Sequence, residues 1–579
     1  MQTLEYDAII LGSGLAGLTT AIHASHASGG TLRIAIVTKL HAMRSHSVSA
    51  EGGISGVLYP DVTQDSIELH AYDTVKGSDY LADQDAVEVL VNQAPAEIRF
   101  YDHLGVPWNR TEDGRIQQRP FGGMSIPRTA FAADKTGFFM MRALYDEVTG
   151  LQNVDIYHEH FATSLIMQGD TFSGLTAIDI ATGELKLFIA KACAIATGGC
   201  SRVYGFTTTA HSSTGDGIAL AYNAGLPLKD MEFVQFHPTA LVPSGILITE
   251  AARGEGGYLR NNKGERFMER YAKSKMELAP RDIVSRAIVT EIREGRGYRH
   301  EETDMGYVHL DLTHLDAKLL DERLPMIKEL SIKTLNIDPH KEPLPIRPGA
   351  HFTMGGIHVN INGEVMKNEN EPSKGLWAVG ECGCVSVHGS NRLGSNSLSQ
   401  CSVWGRIAGN AIARYVASAQ NVDRAYATGK AEEEEKRLNS ILSGSGNVNP
   451  YELQSRMQST MDNLVYVFRK TQELIKAREE IMKLRSMYRD IEIKDKGKPF
   501  NTNLRDALEI GNLLELSQVI IECALNRKES RGAHFMEEYP NRDDVNYLKH
   551  TIAMKKADGV SIRYIPVRMT KWKPEARVY

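Results

Sequence analysis

The chain has 579 residues, a formal net charge of −6 and a hydrophobic fraction of 42%. Such a length exceeds what one hydrophobic core accommodates, so we expect several domains. The acidic balance without a basic stripe argues against a nucleic-acid partner, and no apolar run reaches the roughly 18–20 residues that a membrane-spanning helix needs. A strand is predicted from Tyr6 onward, which leaves no room for a signal peptide and indicates a cytoplasmic protein.

The first elements predict the start of a doubly wound α/β sheet. Residues 6–11 are apolar and indicate a buried parallel strand, a helix is predicted over 15–27, and a second strand over 33–37. This strand–helix–strand order is the opening unit of a Rossmann-like nucleotide-binding domain.

A glycine-rich loop joins the first strand to the first helix. Gly12, Gly14 and Gly17 form a GxGxxG pattern, which permits a tight turn, close approach of a pyrophosphate, and close packing of helix on strand. The acidic residue that usually ends the second strand is replaced by Thr38 and Lys39. The loop therefore predicts dinucleotide binding, and the replacement favours FAD over NAD.

Further elements follow in chain order. Residues 236–348 lack a strand–helix–strand rhythm and are expected to form an inserted domain, after which the first domain resumes. The remaining predicted elements are helices over 85–104, 396–417 and 507–525, a mostly helical stretch over 418–490, hairpin strands over 175–195, and strands over 376–381 and 561–567.

The segment 43–53 is the most informative part of the chain. It places His46 between Ser45 and Ser47, about 30 residues after the glycine loop. A lone imidazole there can act as a nucleophile, so the segment predicts a flavin that is bound and also covalently tethered through His46. The six cysteines fit neither a disulfide framework nor an iron–sulfur motif. Electrons must therefore pass to a small molecule or to a partner subunit.

These motifs, in this order, resemble one family, the flavoprotein subunits of succinate dehydrogenase and fumarate reductase. The stretch 44–47, followed by 50–53, is similar to the flavin-attachment segment of that family. The similarity continues in motifs that begin at Arg128, Ala196, Thr214, Gln235, Arg253, Pro280, His351, Val379, Asn391 and Arg527. The motifs cover nearly the whole chain, and Thr38-Lys39 is itself the pattern of that family.

The resemblance implies a Rossmann-like FAD-binding domain with an inserted capping domain, followed by a helical domain and a small C-terminal domain. The expected bounds are 1–235 and 349–417 for the discontinuous FAD-binding domain, 236–348 for the capping domain, 418–544 for the helical domain, and 545–579 for the C-terminal domain. It also implies FAD attached to His46 through the flavin 8α carbon. By matching motifs, the residues near FAD are Gly12, Gly14, Gly17, Thr38, Lys39, Ser45, His46, Gly52, Asp216, Glu381, Ser397 and Leu398.

The resemblance further implies interconversion of succinate and fumarate by hydride transfer at that flavin. The residues expected around the substrate are Arg392 and His351 at one carboxylate, His237 and Thr249 at the other, and Arg281 with Glu250 and Arg253 for the proton. His237 is a catalytic candidate as well as a ligand. A guanidinium is an unusual proton donor at neutral pH, so the alternative that Arg281 only binds charge while a histidine moves the proton stays open.

The partners implied by the resemblance are an iron–sulfur subunit and membrane anchor subunits that exchange electrons with quinone. The chain is then expected to lie peripherally at the cytoplasmic face of the cell membrane. Glu51 stands where many succinate dehydrogenases have Gln, and a buried carboxylate near the flavin couples electrons to protons, so it favours fumarate reduction. Ala252 stands where the family often has Cys, and activity is therefore predicted to resist thiol alkylation.

Two other functions stay open. A soluble flavoenzyme resembling L-aspartate oxidase would share the fold, but that family lacks the tethering histidine, so His46 argues against it. A flavoprotein that serves only as an electron relay or assembly module is disfavoured by the complete set of dicarboxylate-binding residues. No metal site is expected at His158 and His160, which are predicted to alternate with Glu159 along a strand. Arg531 and His534 are expected to be structural or to lie at a partner interface.

Overall fold

The computed structural model describes residues 1–557 and 559–579. Its strands are β1 (Gln2–Glu5), β2 (Ala8–Leu11), β3 (Ile34–Val37), β4 (Ile54–Ser55), β5 (Gln118–Arg119), β6 (Thr129–Ala130), β7 (Val154–Tyr157), β8 (His160–Gln168), β9 (Thr171–Asp179), β10 (Leu185–Ile189), β11 (Ala192–Ile195), β12 (Leu228–Lys229), β13 (Val234–Leu241), β14 (Tyr258–Arg260), β15 (Tyr298–Arg299), β16 (Gly306–Asp311), β17 (Leu344–Thr353), β18 (Gly356–His358), β19 (Glu364–Met366), β20 (Pro372–Ala378), β21 (Gly383–Cys384), β22 (Lys549–Lys556) and β23 (Gly559–Pro566).

The α-helices of the same residues are α1 (Leu15–Ala27), α2 (Pro60–Thr63), α3 (Ile67–Gly77), α4 (Gln84–His103), α5 (Thr136–Gly150), α6 (Asp216–Asn223), α7 (Ala251–Gly254), α8 (Met268–Tyr271), α9 (Arg281–Arg293), α10 (Ala317–Arg323), α11 (Pro325–Leu335), α12 (Asn396–Ser418), α13 (Arg424–Ser443), α14 (Pro450–Leu464), α15 (Thr471–Met487) and α16 (Thr502–Asn526).

The largest sheet has a parallel centre in the order β20-β11-β2-β3-β7. Ala8 pairs with Ile34 of β3 and with Ala192 of β11, in parallel register on both sides. β2 and β3 are entirely apolar and buried, as strands covered by helices on both faces must be. The predicted doubly wound α/β start is confirmed, with the first helix in the predicted place. Antiparallel strands β8, β9 and β10 and the unpredicted β1 extend the sheet.

Helices α1 and α12 pack closely against each other. A Cβ on Gly405 would lie 3.0 Å from the carbonyl oxygen of Ala16, and one on Gly409 would lie 2.6 Å from that of Thr20. Only glycine permits this approach, because any side chain there would push the two helices apart. The packing brings the N-termini of both helices to the edge of the sheet where the parallel strands end.

Residues 236–348 contribute most of a second hydrophobic core. It is built on an antiparallel sheet in the order β13-β17-β16-β14 and on α9. Along β16, buried and partly buried residues alternate, the pattern of a sheet with one covered face. β13 and β17 cross the predicted domain bounds at 235 and 349, so these two strands carry the chain between the two cores.

Residues 424–526 are mostly helical, and β22 and β23 form a hairpin further along the chain. α14, α15 and α16 pack together, and Leu474, Ile481 and Leu484 of α15 are buried. The hairpin of β22 and β23 joins a sheet in the order β21-β18-β12-β22-β23. Within residues 1–557 and 559–579, every helix is too short or too polar to span a bilayer.

The strand alternation predicted for residues 158–160 is wrong. His160 begins β8, but His158 and Glu159 form the turn before it, and Glu159 has a positive φ of 56°. Nδ1 of His160 lies 2.7 Å from the carbonyl oxygen of His158. The two histidines are therefore held by a local turn, which periodicity alone does not reveal.

Candidate functional site

One large cavity opens where the parallel strands end. It is bounded by the residues that follow β2, β3 and β11 and by the first turns of α1 and α12, and its volume is about 1590 Å³ including its mouth. Ligands of open α/β sheets bind at this edge. The lining runs from the glycine loop at the start of α1 to the start of α12, so one cavity contains both the predicted nucleotide-binding residues and the residues expected around the substrate.

Most of the residues singled out in the sequence line this one cavity. They are Gly12, Gly14, Thr38, Lys39, Ser45, His46, Gly52, Asp216, His237, Thr249, Glu250, Arg281, His351, Glu381, Arg392, Ser397 and Leu398. Gly17 and Arg253 do not line it; each lies one layer behind the wall. The sequence separates these residues by up to 386 positions, so only the fold brings them together.

The glycine loop forms the wall at the start of α1. A Cβ on Gly12, which has a φ of +110°, would lie 2.4 Å from the carbonyl oxygen of Ala196. A Cβ on Gly17 would lie 2.1 Å from the carbonyl oxygen of Gly12. Gly12 therefore keeps β2 against β11, and Gly17 keeps α1 against the loop. The N-terminus of α1 is thereby directed into the cavity, where its unpaired backbone N–H groups can bind a phosphate.

Lys39 follows β3, near the position where an acid usually stands in such folds. Its Nζ donates to Asp216, Glu509 and Thr214, each at 2.6 Å. Burial alone would lower the pKa of Lys39, but the two carboxylates raise it. Asn512 of α16 also donates to Asp216, at 3.2 Å. The cluster positions Asp216 and joins α16 to this end of the cavity.

His46 lies in a 3-10 helix over His46–Ser49 on the cavity wall. Its Nδ1 accepts a hydrogen bond from the backbone N–H of Ala210, at 3.3 Å. Burial, with the nearby guanidinium groups of Arg202 and Arg392, lowers the pKa of His46 to about 4. The imidazole is therefore neutral at pH 7, and because Nδ1 is engaged, Nε2 is the nitrogen left for chemistry.

Several buried polar atoms in the cavity wall lack a hydrogen-bond partner among the described residues. They include Oε2 of Glu51, Oγ of Ser395 and Nε of Arg392. Atoms this buried normally have partners, so their clustering indicates that a polar ligand completes the site. A flavin dinucleotide fits, because it offers both acceptors and donors along its length.

Glu51 and Glu381 are buried carboxyl groups of this wall. Burial raises the pKa of Glu381 to about 7, and it raises that of Glu51 well above the ordinary value. Oε1 of Glu381 accepts the backbone N–H of Thr353 at 2.9 Å. Glu381 lines the cavity, where its carboxyl group can accept from a ligand hydroxyl, the role expected of an acid at a nucleotide ribose.

One end of the cavity, called the substrate end below, combines the guanidinium groups of Arg281 and Arg392 with two neutral histidines, His237 and His351. The imidazole rings of His237 and His351 lie 4.8 Å apart, and burial, followed by the charge of Arg281, lowers the pKa of each well below 6.5. Nη1 of Arg392 donates to Ser397 at 2.8 Å, and its guanidinium lies 4.5 Å from the ring centre of Phe352.

Arg281 is the first residue of α9 and is held by two side chains. Its Nε donates to Oε2 of Glu250 at 2.7 Å, and its Nη1 donates to Oε1 of Gln235 at 3.1 Å. Nη2 of Arg253 lies 3.6 Å from the same Glu250 oxygen. Burial alone would raise the pKa of Glu250, but the charges of Arg281 and Arg253 lower it. The three side chains therefore form a continuous, buried row that leads away from the cavity.

Gln235 is a residue whose role the sequence did not indicate. Its Oε1 accepts from Arg281, while its Nε2 donates to the carbonyl oxygen of Arg392 at 2.7 Å and to Oδ1 of Asn391 at 3.0 Å. One amide therefore sets the separation of the two cavity arginines. The signal was present only as the first letter of the QFHPT motif, which drew attention to His237 instead.

The balance of charge in the substrate end is positive. Arg281 and Arg392 face the cavity, and Glu250 is shared between Arg281 and Arg253. A site with this excess attracts and holds an anion, and its planar guanidinium forks suit carboxylates. By contrast, Arg531 and His534 are fully buried away from the cavity and bind Glu529 and the carbonyl oxygen of Arg527, so they are structural.

Two family models match the chain. The FAD binding domain model matches residues 7–398, and the model of the fumarate reductase flavoprotein C-terminal region matches residues 454–579. The first match contains the cavity-lining residues from Leu11 to Leu398, and the lining residue Cys401 lies just beyond it.

Similar proteins match over essentially the full length. The fumarate reductase flavoprotein subunit of Mycobacterium tuberculosis is 44% identical over all of both chains. The succinate dehydrogenase flavoprotein subunit of Rickettsia conorii is also 44% identical, over 98% of this chain and 96% of its own length. Among solved structures, an Escherichia coli quinol fumarate reductase flavoprotein superposes with a TM-score of 0.96 at 40% identity, over 100% of this chain and 99% of that one.

Proposed function

The chain belongs to the family of fumarate reductase and succinate dehydrogenase flavoprotein subunits, and on that basis we propose that it binds FAD and interconverts succinate and fumarate. The observation that supports this most strongly is the substrate end of the cavity. There, Arg281 and Arg392 face the same space as His237 and His351, beside the wall that carries His46. A small dicarboxylate needs cations and hydrogen-bond donors at both of its ends, and few other ligands do.

We assign the substrate contacts by charge and hydrogen-bonding capacity. Arg392 binds one carboxylate with a planar fork, and His351 adds a donor beside it. The backbone N–H of Thr239 donates to Nδ1 of His237 at 3.3 Å, so neutral His237 presents Nε2–H to the cavity. Together with the hydroxyl of Thr249, this donor binds the second carboxylate.

The proton moves through Arg281. Bound FAD supplies the hydride acceptor and donor at this site. Reduction of fumarate places a hydride on one carbon and a proton on the other, and Arg281 donates that proton. Glu250 and Arg253 then return a proton to Arg281 along the buried row. His237 and His351 are neutral and bind the substrate as hydrogen-bond donors. This supports the assignment of the proton transfer to Arg281.

We propose that FAD is attached covalently to Nε2 of His46. The nitrogen is neutral, faces the cavity and is not engaged by the hydrogen bond from Ala210. The N-terminus of α1 would hold the phosphates, and the positive end of α12, at Ser397 and Leu398, would stabilise the negative charge that the flavin gains on reduction.

Electrons are exchanged with quinone through an iron–sulfur subunit and membrane anchor subunits, and the chain lies peripherally at the cytoplasmic face of the membrane. The cysteines of this chain support the need for a partner, because all six are free and five are buried. Glu51, whose pKa is raised by burial, favours fumarate reduction as the physiological direction.

Turnover of the purified protein with its partner subunits tests the proposal. We expect fumarate to oxidise a reduced viologen dye and succinate to reduce an acceptor dye, with no comparable reaction of L-aspartate. Arg392→Lys keeps the positive charge but loses the planar pair of N–H donors that binds a carboxylate at two points. KM should therefore rise for both succinate and fumarate. Oxidation of L-aspartate without succinate or fumarate turnover would instead identify an aspartate oxidase.

A further inference from the structure

Residues 567–579, called the strap below, cross from one hydrophobic core to the other. The strap is anchored first on Gln84, the buried first residue of α4. Oε1 of Gln84 accepts the backbone N–H groups of Thr570, Lys571 and Trp572 at 2.8–3.1 Å, and its Nε2 donates to the carbonyl oxygen of Trp572 at 2.7 Å. One side chain therefore fixes three consecutive residues of the strap against α4, which belongs to the predicted FAD-binding domain, called the FAD-binding side below.

The far end of the strap inserts Arg577 between the two cores. Nη2 of Arg577 donates to Oδ2 of Asp282 at 2.6 Å, and its Nε lies 3.2 Å from Oδ1 of Asp79. Only 8% of the Arg577 side chain is exposed. Asp282 lies on α9, whereas Asp79 follows α3 on the FAD-binding side. A single guanidinium thus joins two carboxylates that belong to different parts of the molecule.

Tyr579 strengthens the same junction. Its ring packs against the second core, and Nζ of Lys76 lies 4.9 Å from the centre of that ring. Lys76 belongs to α3. Two of the last three residues therefore bridge α3 and the capping region.

Asp282 is the residue directly after Arg281, in the first turn of α9. The carboxylate of Asp282 is fully buried, and it also accepts from Arg286 at 2.9 Å. Burial alone would raise its pKa, but Arg577 and Arg286 lower it to about 2. The first turn of α9 is therefore held from outside the capping region by a charged, hydrogen-bonded contact.

We propose that Arg577 is a positioning residue for the reaction: through Asp282 it fixes the first turn of α9 against the FAD-binding side, and so sets where Arg281 meets the substrate. The inference rests on the proposed role of Arg281. It follows from the order of contacts, because Arg577 does not line the cavity and reaches the reaction only through α9. A misplacement of about 1 Å in a catalytic group can reduce turnover by about 100-fold.

The test compares Arg577→Gln and Arg577→Lys with Lys571→Gln in the assembled holoenzyme. Lys571 is the matched control, because it lies on the same strap but pairs with Glu68 in an exposed contact. We expect Arg577→Gln to lower kcat and kcat/KM for fumarate by the same factor, about 10- to 100-fold. Covalent flavin, read from in-gel fluorescence, should stay at the wild-type level. Arg577→Lys should retain more activity than the glutamine variant.

Chemical rescue separates positioning from folding. In Arg577→Ala, added methylguanidinium should restore part of kcat, and it should have no such effect on Lys571→Ala. A wild-type kcat in Arg577→Gln would overturn the proposal, and so would a loss of kcat that merely follows a loss of flavin without rescue. Full turnover in both Arg577→Gln and Arg281→Lys would mean that the proposed proton role of Arg281 fails. Full turnover in Arg577→Gln together with an inactive Arg281→Lys would mean that only the positioning role of Arg577 fails.

Discussion

Substitution of Arg281 by Lys tests the proton transfer at its most specific point. The guanidinium reaches Glu250 with Nε at 2.7 Å and Gln235 with Nη1 at 3.1 Å. An ammonium is a single point of charge and cannot make both contacts from this backbone position. Positioned acid–base catalysis contributes about 10²–10⁴-fold, or about 2.7–5.4 kcal/mol of activation free energy. We expect Arg281→Lys to lose turnover by that range.

The folded state should survive this substitution, because a positive charge remains beside Glu250. Arg281→Gln is harsher: it removes the charge that opposes the effect of burial on Glu250, and breaking a buried pair costs up to about 3–5 kcal/mol. Relative to wild type, its loss of stability should be largest above the unfolded pKa of a glutamate, about 4.3, and should shrink as the pH drops, because the stabilisation that a lowered folded pKa provides is present only above the unfolded pKa. The lysine variant therefore gives the cleaner kinetic result.

The assay measures fumarate reduction, succinate oxidation and covalent flavin on the same preparations. Arg293→Lys is the matched control, since it makes the same change at the exposed end of α9, where Arg293 pairs with Glu537. Covalent flavin should be retained in both variants, with kcat lost only in Arg281→Lys. Survival of more than about a tenth of kcat in Arg281→Lys, with full flavin content, would refute proton delivery by Arg281. A histidine would then be the better candidate.

Three further predictions address the cofactor end of the cavity. Burial raises the pKa of Glu51 well above its ordinary value, so wild-type stability should decline as the pH rises from about 4.3 toward that folded pKa. Glu51→Gln should flatten the profile in thermal unfolding; an equally steep decline would contradict this. Gly12→Ala places a Cβ 2.4 Å from the carbonyl oxygen of Ala196, so flavin content should drop sharply, and normal loading would show that the loop adapts. N-ethylmaleimide should leave activity largely intact, because Ala252 replaces a cysteine and only Cys401 is partly exposed; rapid inactivation prevented by substrate would be the opposite result.

Local signals were enough to predict the framework of the nucleotide site. The apolar run before Gly12 and the small residues after it define β2 and α1 without reference to the rest of the chain. The helix after Asn396 was equally predictable, because its start is marked by a glycine- and serine-rich loop. These elements depend on neighbours within about one helical turn, which is the range over which periodicity and capping act.

The contacts that complete the site have no such signal. Lys39 meets Glu509 across 470 positions, and Arg577 meets Asp282 across 295. Each is a charged side chain that could equally have faced solvent, which is the commoner place for charge. The sequence showed that Thr38-Lys39 departs from the usual pattern, yet only the fold shows that Lys39 binds carboxylates from elsewhere.

The covalent bond at His46 is the claim on which the other assignments depend most directly. Proteolysis of the native, correctly assembled protein, followed by mass spectrometry of the fragments, measures it in one experiment. We expect a flavin adenine dinucleotide adduct on the peptide that contains His46, and on that residue within it. A flavin-free peptide from active enzyme, or an adduct on a different residue, would contradict it.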